Sequence, residues 1–300
     1  MLEVLIVGGG TAGLSAALVL GRCVRRVLVV DSGRYRNERS RALHCYVSRD
    51  GIAPKDLLTT SREQLARYGC VSYRQGKVSR IVQEGASFIA TIDDEDVSAR
   101  AVLIATGVVD QLPPIAGIEE FFGQSVHVCP FCDGWEHRDA AVAVYGKGPK
   151  SARLALLLRQ WTDDLVLCTD GPRELHPEDE RVLEMRGIQV CETSIVRLEG
   201  KNGCLEAICF ADNTQIKRQA LFFQTGQHPR STLLERLDCD FGEDGVVVDQ
   251  DGGTSIPGVY VAGDVSRDVQ LAIIASAEGA RAALAINSWL MKSDGYLPEP

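Results

Sequence analysis

Three hundred residues suit two domains of ordinary size, each able to bury its own core. An apolar fraction of 45% beside 24% charged residues is that of a soluble globular chain, and no apolar run reaches bilayer-spanning length. A net charge of −9 without a basic run argues against a nucleic-acid partner.

In chain order, Leu2 to Val7 reads as a buried first strand, which leaves no room for an export signal. Apart from Cys129 and Cys132, the cysteines show no framework spacing, so reduced thiols and a cytoplasmic location are expected. Gly8-Gly9-Gly10-Thr11-Ala12-Gly13 follows the strand at once, then an apolar helix from Leu14 to about Leu20 and a strand Val27–Val30 ending on Asp31-Ser32. Strand, glycine loop, helix and acid together form a full dinucleotide-binding unit. Gly8 permits the tight turn, Gly10 lets backbone approach a pyrophosphate, and Gly13 allows close helix–strand packing. The helix N-terminus offers N–H groups to phosphate, and Asp31 is placed to accept ribose hydroxyls. This unit alone does not separate FAD from NAD.

Residues 34–51 are irregular and carry five arginines, and they read as a loop covering the ligand, with Asn37 a candidate flavin contact and His44 satisfied locally. Pro54 to Tyr68 is an amphipathic helix with Leu57, Leu58 and Leu65 on its apolar side. Val78–Val82 and Phe88–Ile92 alternate as a hairpin, and Val102 to Ala105 is a buried strand ending in Thr106-Gly107.

Pro113-Pro114 marks the best boundary. After it, a second strand–loop–helix–strand pattern runs from Ala141 through Gly146-Lys147-Gly148-Pro149-Lys150-Ser151 and a helix reaching Trp161 to Cys168-Thr169-Asp170. Gln224-Thr225-Gly226 ends that domain, and His228-Pro229 begins the return connector. The last third supplies Val259-Tyr260-Val261-Ala262-Gly263-Asp264, a helix from about Gln270 to Leu290, and an irregular tail from Lys292 to Pro300 in which Tyr296 is either an exposed terminal residue or a cap on a flavin face. A helix N-terminus near a flavin would stabilise the anionic reduced ring. The expected fold class is α/β, with two Rossmann-like, three-layer ββα domains. Residues 1–112 and 230–300 form the first, and 113–229 are inserted as the second.

Cys129-Pro130-Phe131-Cys132-Asp133-Gly134 heads the inserted domain. Two thiols three positions apart can close a disulfide or stand open, a two-electron switch. A zinc site needs two more ligands, and no second Cys-x-x-Cys or His-x-x-x-His exists, although His127 and His137 lie nearby. Two unreactive core cysteines are the remaining alternative. Asp133 is either a turn-forming residue before Gly134 or a proton source. Trp135 and Trp161 read as packing residues, although Trp135 lies close enough to the thiols to line a docking surface instead.

Gly8 to Gly13, Ala105-Thr106-Gly107, Cys129-x-x-Cys132-Asp133-Gly134, Ser255-Ile256-Pro257-Gly258-Val259-Tyr260 and Ala262-Gly263-Asp264 together resemble the low-molecular-weight thioredoxin reductases over nearly the whole chain. The resemblance implies an FAD domain from the first and last segments, an inserted pyridine-nucleotide domain that swings, a homodimer, and a thioredoxin-like partner. It implies Cys132 as the thiol nearest the flavin, Cys129 as the interchange thiol and Asp133 as the acid for a departing thiolate. Cofactor contacts are then expected at Gly8, Gly10, Thr11, Ala12, Gly13, Asp31, Ser32, Asn37, Val78, Ala105, Thr106, Gly107, Gly263, Asp264, Gln270, Leu271 and Ala272, and no metal. A related group, flavin dithiol oxidases acting on small molecules with oxygen as acceptor, often has His after the second cysteine. Asp133 favours the reductases, whereas Trp135-Glu136 and Arg36-Asn37 look closer to the oxidases.

The chain departs from the family pattern at its second nucleotide site. Where NADPH-using members carry a basic cluster, this chain reads Thr169-Asp170-Gly171-Pro172. Asp170 would repel a 2′-phosphate and at most accept ribose hydroxyls, and Pro149 removes a loop N–H, though Lys147 and Lys150 still attract phosphate. NADH, NADPH and no nicotinamide stay open. In the last case electrons come from a reduced ferredoxin or similar protein, or flow from a dithiol through FAD to oxygen. A flavin redox sensor without turnover is a third reading.

Overall fold

The computed structural model describes residues 2–243, 245–266 and 269–296. The chain divides into two compact units: Met1–Arg36, Cys45–Val109 and Pro229–Pro300 form one, Asn37–His44 and Asp110–His228 the other. Asn37–His44, within the irregular basic stretch, thus belongs with the second unit.

The first unit opens with β1 (Leu2–Val7), α1 (Thr11–Arg22) and β2 (Val27–Asp31). It continues through α2 (Pro54–Leu65), β3 (Val71–Gln75), β4 (Val78–Glu84), β5 (Ser87–Ile92), β6 (Glu95–Ile104) and β7 (Val108–Asp110). Strands β3, β2, β1 and β6 run parallel in that order; β1 and the second half of β6 are apolar on both faces, as strands covered on both sides require, while the edge strand β3 is largely exposed. β6 serves two sheet regions. Its polar first half pairs antiparallel with β5 (Phe88 opposite Ala99), and its buried second half pairs parallel with β1 (Val4 opposite Ala101).

In the second unit come α3 (Ile118–Phe121), β8 (Val126–His127), α4 (Pro130–Asp133) and a 3-10 turn at Trp135–His137. Then follow β9 (Val142–Tyr145), α5 (Gly148–Leu158), β10 (Leu165–Cys168), α6 (Pro177–Met185), β11 (Gln189–Cys191), β12 (Ile195–Lys201), β13 (Cys204–Phe210), β14 (Gln215–Lys217), β15 (Ala220–Phe223) and β16 (Gln227–Pro229). The parallel sheet runs β11-β10-β9-β15-β8, and β12–β14 form a separate antiparallel sheet. The return segment adds α7 (Leu233–Arg236), β17 (Phe241–Gly242), β18 (Gly245–Val246), β19 (Val259–Val261) and α8 (Ala272–Ser293) to the first unit, with β19 parallel to β6.

Both units have the same layers. In the first, one sheet face buries Val4, Ile6 and Leu103 against α1 and α8, and the other buries Leu5 and Ile104 against the β4–β5 hairpin. In the second, Val144 and Leu167 face α5 and α6, while Ala143 and Val166 face the β12–β14 sheet. Each fully buried Leu, Ile or Phe among them contributes about 1.5–3 kcal/mol relative to exposure. This is the α/β, three-layer, twofold Rossmann-like class expected from the motifs.

Boundaries shift in places. α1 begins at Thr11, in the glycine loop itself, and α2 ends at Leu65, where Tyr68 N–H closes a turn on Leu65 O. α8 begins at Ala272, so Gln270 and Leu271, expected in the helix, precede it; Leu271 is its extended N-cap. α8 also runs on through Lys292 to Ser293, and residues 297–300 of the expected tail lie outside the described residues.

Candidate functional site

In the first unit the glycine loop ties β1 to α1 by backbone contact. Gly8 has φ +112°, and a Cβ there would lie 2.2 Å from Ala105 O. A Cβ on Gly13 would lie 1.9 Å from Gly8 O, so helix and loop approach closer than any side chain allows. Gly10 differs: its backbone is extended, a Cβ would meet nothing within 4 Å, and no side chain caps α1. No side chain among the described residues therefore caps the first-turn N–H groups of Thr11 and Ala12. Across the sheet, Thr106 Oγ1 is buried without a hydrogen-bond partner among the described residues, and a Cβ on Gly107 would also meet nothing within 4 Å. A phosphate-bearing ligand with hydroxyls fits this cradle, since it would meet the helix amides and the stranded hydroxyl.

Asp31 is 3% exposed at the end of β2. Its Oδ1 accepts Gly33 N–H at 3.2 Å, and its Oδ2 accepts the Tyr73 hydroxyl at 2.6 Å and the Tyr35 hydroxyl. Burial first, and then the Asp31 carboxylate, push both phenols above their ordinary range. Three of a carboxylate's roughly four acceptor positions are thus in use, which leaves room for one ribose hydroxyl. Sequence reasoning missed both tyrosines; Tyr73 arrives on β3, opposite Val29, a pairing no local pattern shows.

The other expected contacts scatter around this cradle. Ala105 is buried beside Gly8, Ser32 is exposed, and Val78 sits in the core. Gly263 has φ +84°, with its N–H held by Glu278 Oε2 at 2.9 Å, a residue absent from the sequence expectations. Arg36 links Asp264 Oδ2, at 3.0 Å, to the side chain of Gln270, with Leu271 and Ala272 immediately beyond. Asn37 clusters with the second unit.

In the second unit Cys129 and Cys132 form a disulfide with Cα atoms 5.3 Å apart. Pro130 at the first helical position starts α4, and Cys129 is its N-cap, its Sγ accepting Cys132 N–H at 3.1 Å. Asp133 follows; its Oδ1 lies 3.3 Å from His127 Nδ1, and His127 Nε2 lies 2.9 Å from His137 Nε2. The two histidines thus bond each other, and His127 faces the Asp133 carboxylate. Among the described residues no group of three or more His, Cys, Asp or Glu is arranged to hold a metal ion. Phe131 and Trp135 flank the disulfide at 58% and 63% exposure. Trp135 is therefore no packing residue: Arg138 lies over its ring at 4.4 Å. Trp161 does pack, edge-on to Phe131 and against Gly134. His44 lies 3.4 Å from Glu136, a partner distant in sequence rather than the local one expected.

A model of the pyridine nucleotide-disulphide oxidoreductase family matches residues 2–279. The chain belongs to that family. The thioredoxin reductase tcpT of Claviceps purpurea is 30% identical over 88% of this chain and 86% of its own. The crystal structure of HlmI superposes with a TM-score of 0.94 at 37% identity, covering 98% of this chain and 94% of that one. An oxidoreductase structure from Agrobacterium tumefaciens gives 0.91 at 31% identity, over 97% and 98%. The chain is a flavoprotein disulfide oxidoreductase of thioredoxin reductase type, in a family whose cofactors are FAD and a pyridine nucleotide.

The second strand–loop–helix differs from the first. Lys147 is the N-cap of α5 and Pro149 lies in its first turn, while Ser151, buried where the first loop has Gly13, donates to Gly148 O at 2.7 Å. Asp170, with φ +53°, does not project freely: Oδ2 accepts the Tyr145 hydroxyl at 3.0 Å and Oδ1 accepts Ile195 N–H at 3.2 Å. Burial and Asp170 push the Tyr145 phenol up to about 12.

Proposed function

We propose that this enzyme passes an electron pair between FAD, the Cys129/Cys132 disulfide and a thioredoxin-like protein, with NADPH a poor donor. The observation that carries the reading is the disulfide with Cys132 N–H aimed at Cys129 Sγ and a carboxyl group in the next position. On reduction that N–H favours a thiolate on Cys129, the form that attacks a partner disulfide. Cys129 then bonds the partner's sulfur, Cys132 displaces it, and Asp133 protonates the departing thiolate. Bound in the cradle of Gly8, Gly10, Thr11, Ala12, Gly13 and Thr106, FAD supplies two-electron exchange with a thiol, and Cys132 is the sulfur assigned to meet it.

Residues 1–112 and 230–300 make the FAD domain in this reading and 113–229 the redox domain, in a cytoplasmic homodimer. Poor NADPH use follows from Asp170, a negative charge held in place where a 2′-phosphate needs cations. NADH is less disfavoured, and a reduced ferredoxin or similar protein is the alternative donor. An anaerobic titration tests this: flavin absorbance is followed as NADPH, NADH, reduced ferredoxin and reduced thioredoxin are added separately. Reduced thioredoxin is expected to bleach it and stoichiometric NADPH to leave it oxidised; bleaching by NADPH would overturn the donor assignment.

A second reading rests on Phe131 and Trp135, exposed aromatics beside the disulfide that suit a small apolar dithiol. It predicts oxygen consumption and hydrogen peroxide with such a dithiol, and no reaction with thioredoxin.

A further inference from the structure

Asp133 stands at the end of a row of close polar contacts. Its carboxyl oxygen lies 3.3 Å from His127 Nδ1, and His127 and His137 share a nitrogen–nitrogen contact of 2.9 Å. Each contact accommodates one proton, and a neutral imidazole carries one N–H and one bare nitrogen. Two arrangements therefore satisfy both contacts. In the first, His137 donates from Nε2 to His127 Nε2, His127 donates from Nδ1 to ionised Asp133, and His137 Nδ1 is bare. In the second, protonated Asp133 donates to His127 Nδ1, His127 donates from Nε2 to His137 Nε2, and His137 holds its hydrogen on Nδ1. They differ by one proton, gained at His137 Nδ1 and delivered at Asp133.

We infer that His137 and His127 form a proton wire that reloads Asp133 from solvent during thiol–disulfide exchange. This rests on the reading above, in which Asp133 protonates the departing thiolate. The balance closes. The partner's S–S bond breaks as the Cys129–Cys132 bond forms and two thiols leave: one S–H takes the proton lost by Cys132, and the other takes the Asp133 proton as that O–H bond breaks. Asp133 then takes the proton from His127 Nδ1, His127 Nε2 takes the one from His137 Nε2, and water supplies the proton at His137 Nδ1. No electrons pass through the histidines, and in the opposite direction of exchange the proton runs outward.

The surroundings fit this use. His127 sits on β8 with 5% exposure, walled by the Phe222 ring at 5.3 Å, so its contact with solvent protons runs through its neighbours. His137 is half-buried on the 3-10 turn, open enough to meet water. Burial and then His127 hold His137 down to about 4, against the opposite pull of Asp133, so it is neutral at pH 7 and keeps the bare nitrogen a relay needs. Asp133 from α4 and His127 from β8 are the ionisable groups acting on it; β15 presents the Phe222 ring, and the adjacent Glu136 is turned to His44.

The test exploits the leaving group. A disulfide that releases an aromatic, strongly acidic thiol, 5,5′-dithiobis(2-nitrobenzoate), departs as thiolate without help, whereas bis(2-hydroxyethyl) disulfide releases an alkyl thiolate that needs a proton. Holoenzyme is mixed anaerobically with each disulfide and with dithionite in excess as the continuing electron donor, the rate without enzyme being subtracted, so that every cycle after the first needs Asp133 reloaded. His127→Gln and His137→Gln keep a polar side chain but cannot relay, so each is expected to slow the alkyl disulfide by about tenfold or more and the aromatic one by no more than about twofold. Equal slowing of both disulfides, or no slowing of either, overturns the wire. Asp133→Asn separates the two levels: if it slows the alkyl disulfide and the histidine variants do not, the wire fails and the role of Asp133 stands. If Asp133→Asn changes nothing, the reading beneath fails too. Should His127→Gln not fold, His137→Gln decides alone, with added imidazole expected to restore the alkyl rate in His137→Ala.

Discussion

The two strand–loop–helix units, β1 to β2 and β9 to β10, share a plan and differ in what they leave unsatisfied. At the third glycine position the first has Gly13, packed against Gly8 O, and the second has Ser151, bonded to Gly148 O. A Cβ at Gly10 would meet nothing within 4 Å, while one at Gly148 would lie 3.5 Å from Glu174 O. Thr106 Oγ1 is buried without a partner among the described residues, while its counterpart Thr225 donates to Gln111 O. Buried polar groups are nearly always paired, so the first unit is shaped around a ligand and the second has folded its polar groups onto itself. The same local pattern thus serves binding in one place and architecture in the other.

The largest effect expected from this contrast is at Gly10. Its extended backbone, φ −75° and ψ −173°, tolerates a side chain, and the space beside it is open. Gly10→Val should therefore fold with the melting temperature of flavin-free wild type, while flavin per chain falls below about a tenth of the wild-type ratio, because the new methyls occupy the path of a phosphate to the helix amides. Absorbance near the flavin band after purification measures it; a fully yellow Gly10→Val protein would break the comparison at its root.

A smaller effect is expected at Asp170. Removing the carboxylate in Asp170→Ala strands Ile195 N–H and the Tyr145 hydroxyl, at a cost of about 1–3 kcal/mol for each group left unpaired. Urea unfolding reads it, and NADPH affinity should rise above the wild-type value, because the carboxylate that repels its 2′-phosphate is gone. The alkaline limb should change with it. Tyr145 is raised from 10.0 to about 12, so its contribution to stability is fully present below pH 10 and is lost as pH rises from 10 towards 12. Asp170→Ala should narrow that window, leaving the part due to burial. An intact stability curve in this variant would mean that Asp170 is free for a ribose after all.

Much of this plan could be read from the sequence, and the limits have a physical cause. Gly8 to Gly13, Asp31 and the Cys129–Cys132 pair declare themselves because their chemistry is local: turn geometry, a helix end, and two sulfurs one helical turn apart. Tyr73 against Asp31, Glu278 against Gly263 and Ile195 N–H against Asp170 do not, since each partner comes from a distant strand or helix whose register is set by packing. His127 stood two residues before Cys129 and drew attention only as a metal ligand. That it turns towards Asp133 and His137 follows from the pairing of β8 with β15, where Phe222 stands opposite it. Trp135 misled for the opposite reason: large aromatics are usually buried, and this one is exposed beside the disulfide.

The finest test of the comparison lies where β10 and β11 end. Cys168 and Cys191 stand opposite each other in register, as Asp31 and Gln75 do at the matching ends of β2 and β3. The Cys168 thiol donates towards Cys191, and together with Thr193 this lowers Cys191 from 9.0 to about 6 against the opposing effect of burial; Cys168, fully buried, moves the other way. At pH 7 Cys191 is then mostly thiolate, and of the two only the thiolate alkylates. Iodoacetamide at pH 7, followed by peptide mass mapping, should modify Cys191 at least about tenfold faster than Cys168, and the ratio should fall as pH drops below 6. If this strand edge does not hold a pyridine nucleotide, millimolar NADPH leaves the Cys191 rate unchanged. Protection by NADPH would instead show the nucleotide lying across β10 and β11, and the second unit would have to be counted a binding site like the first.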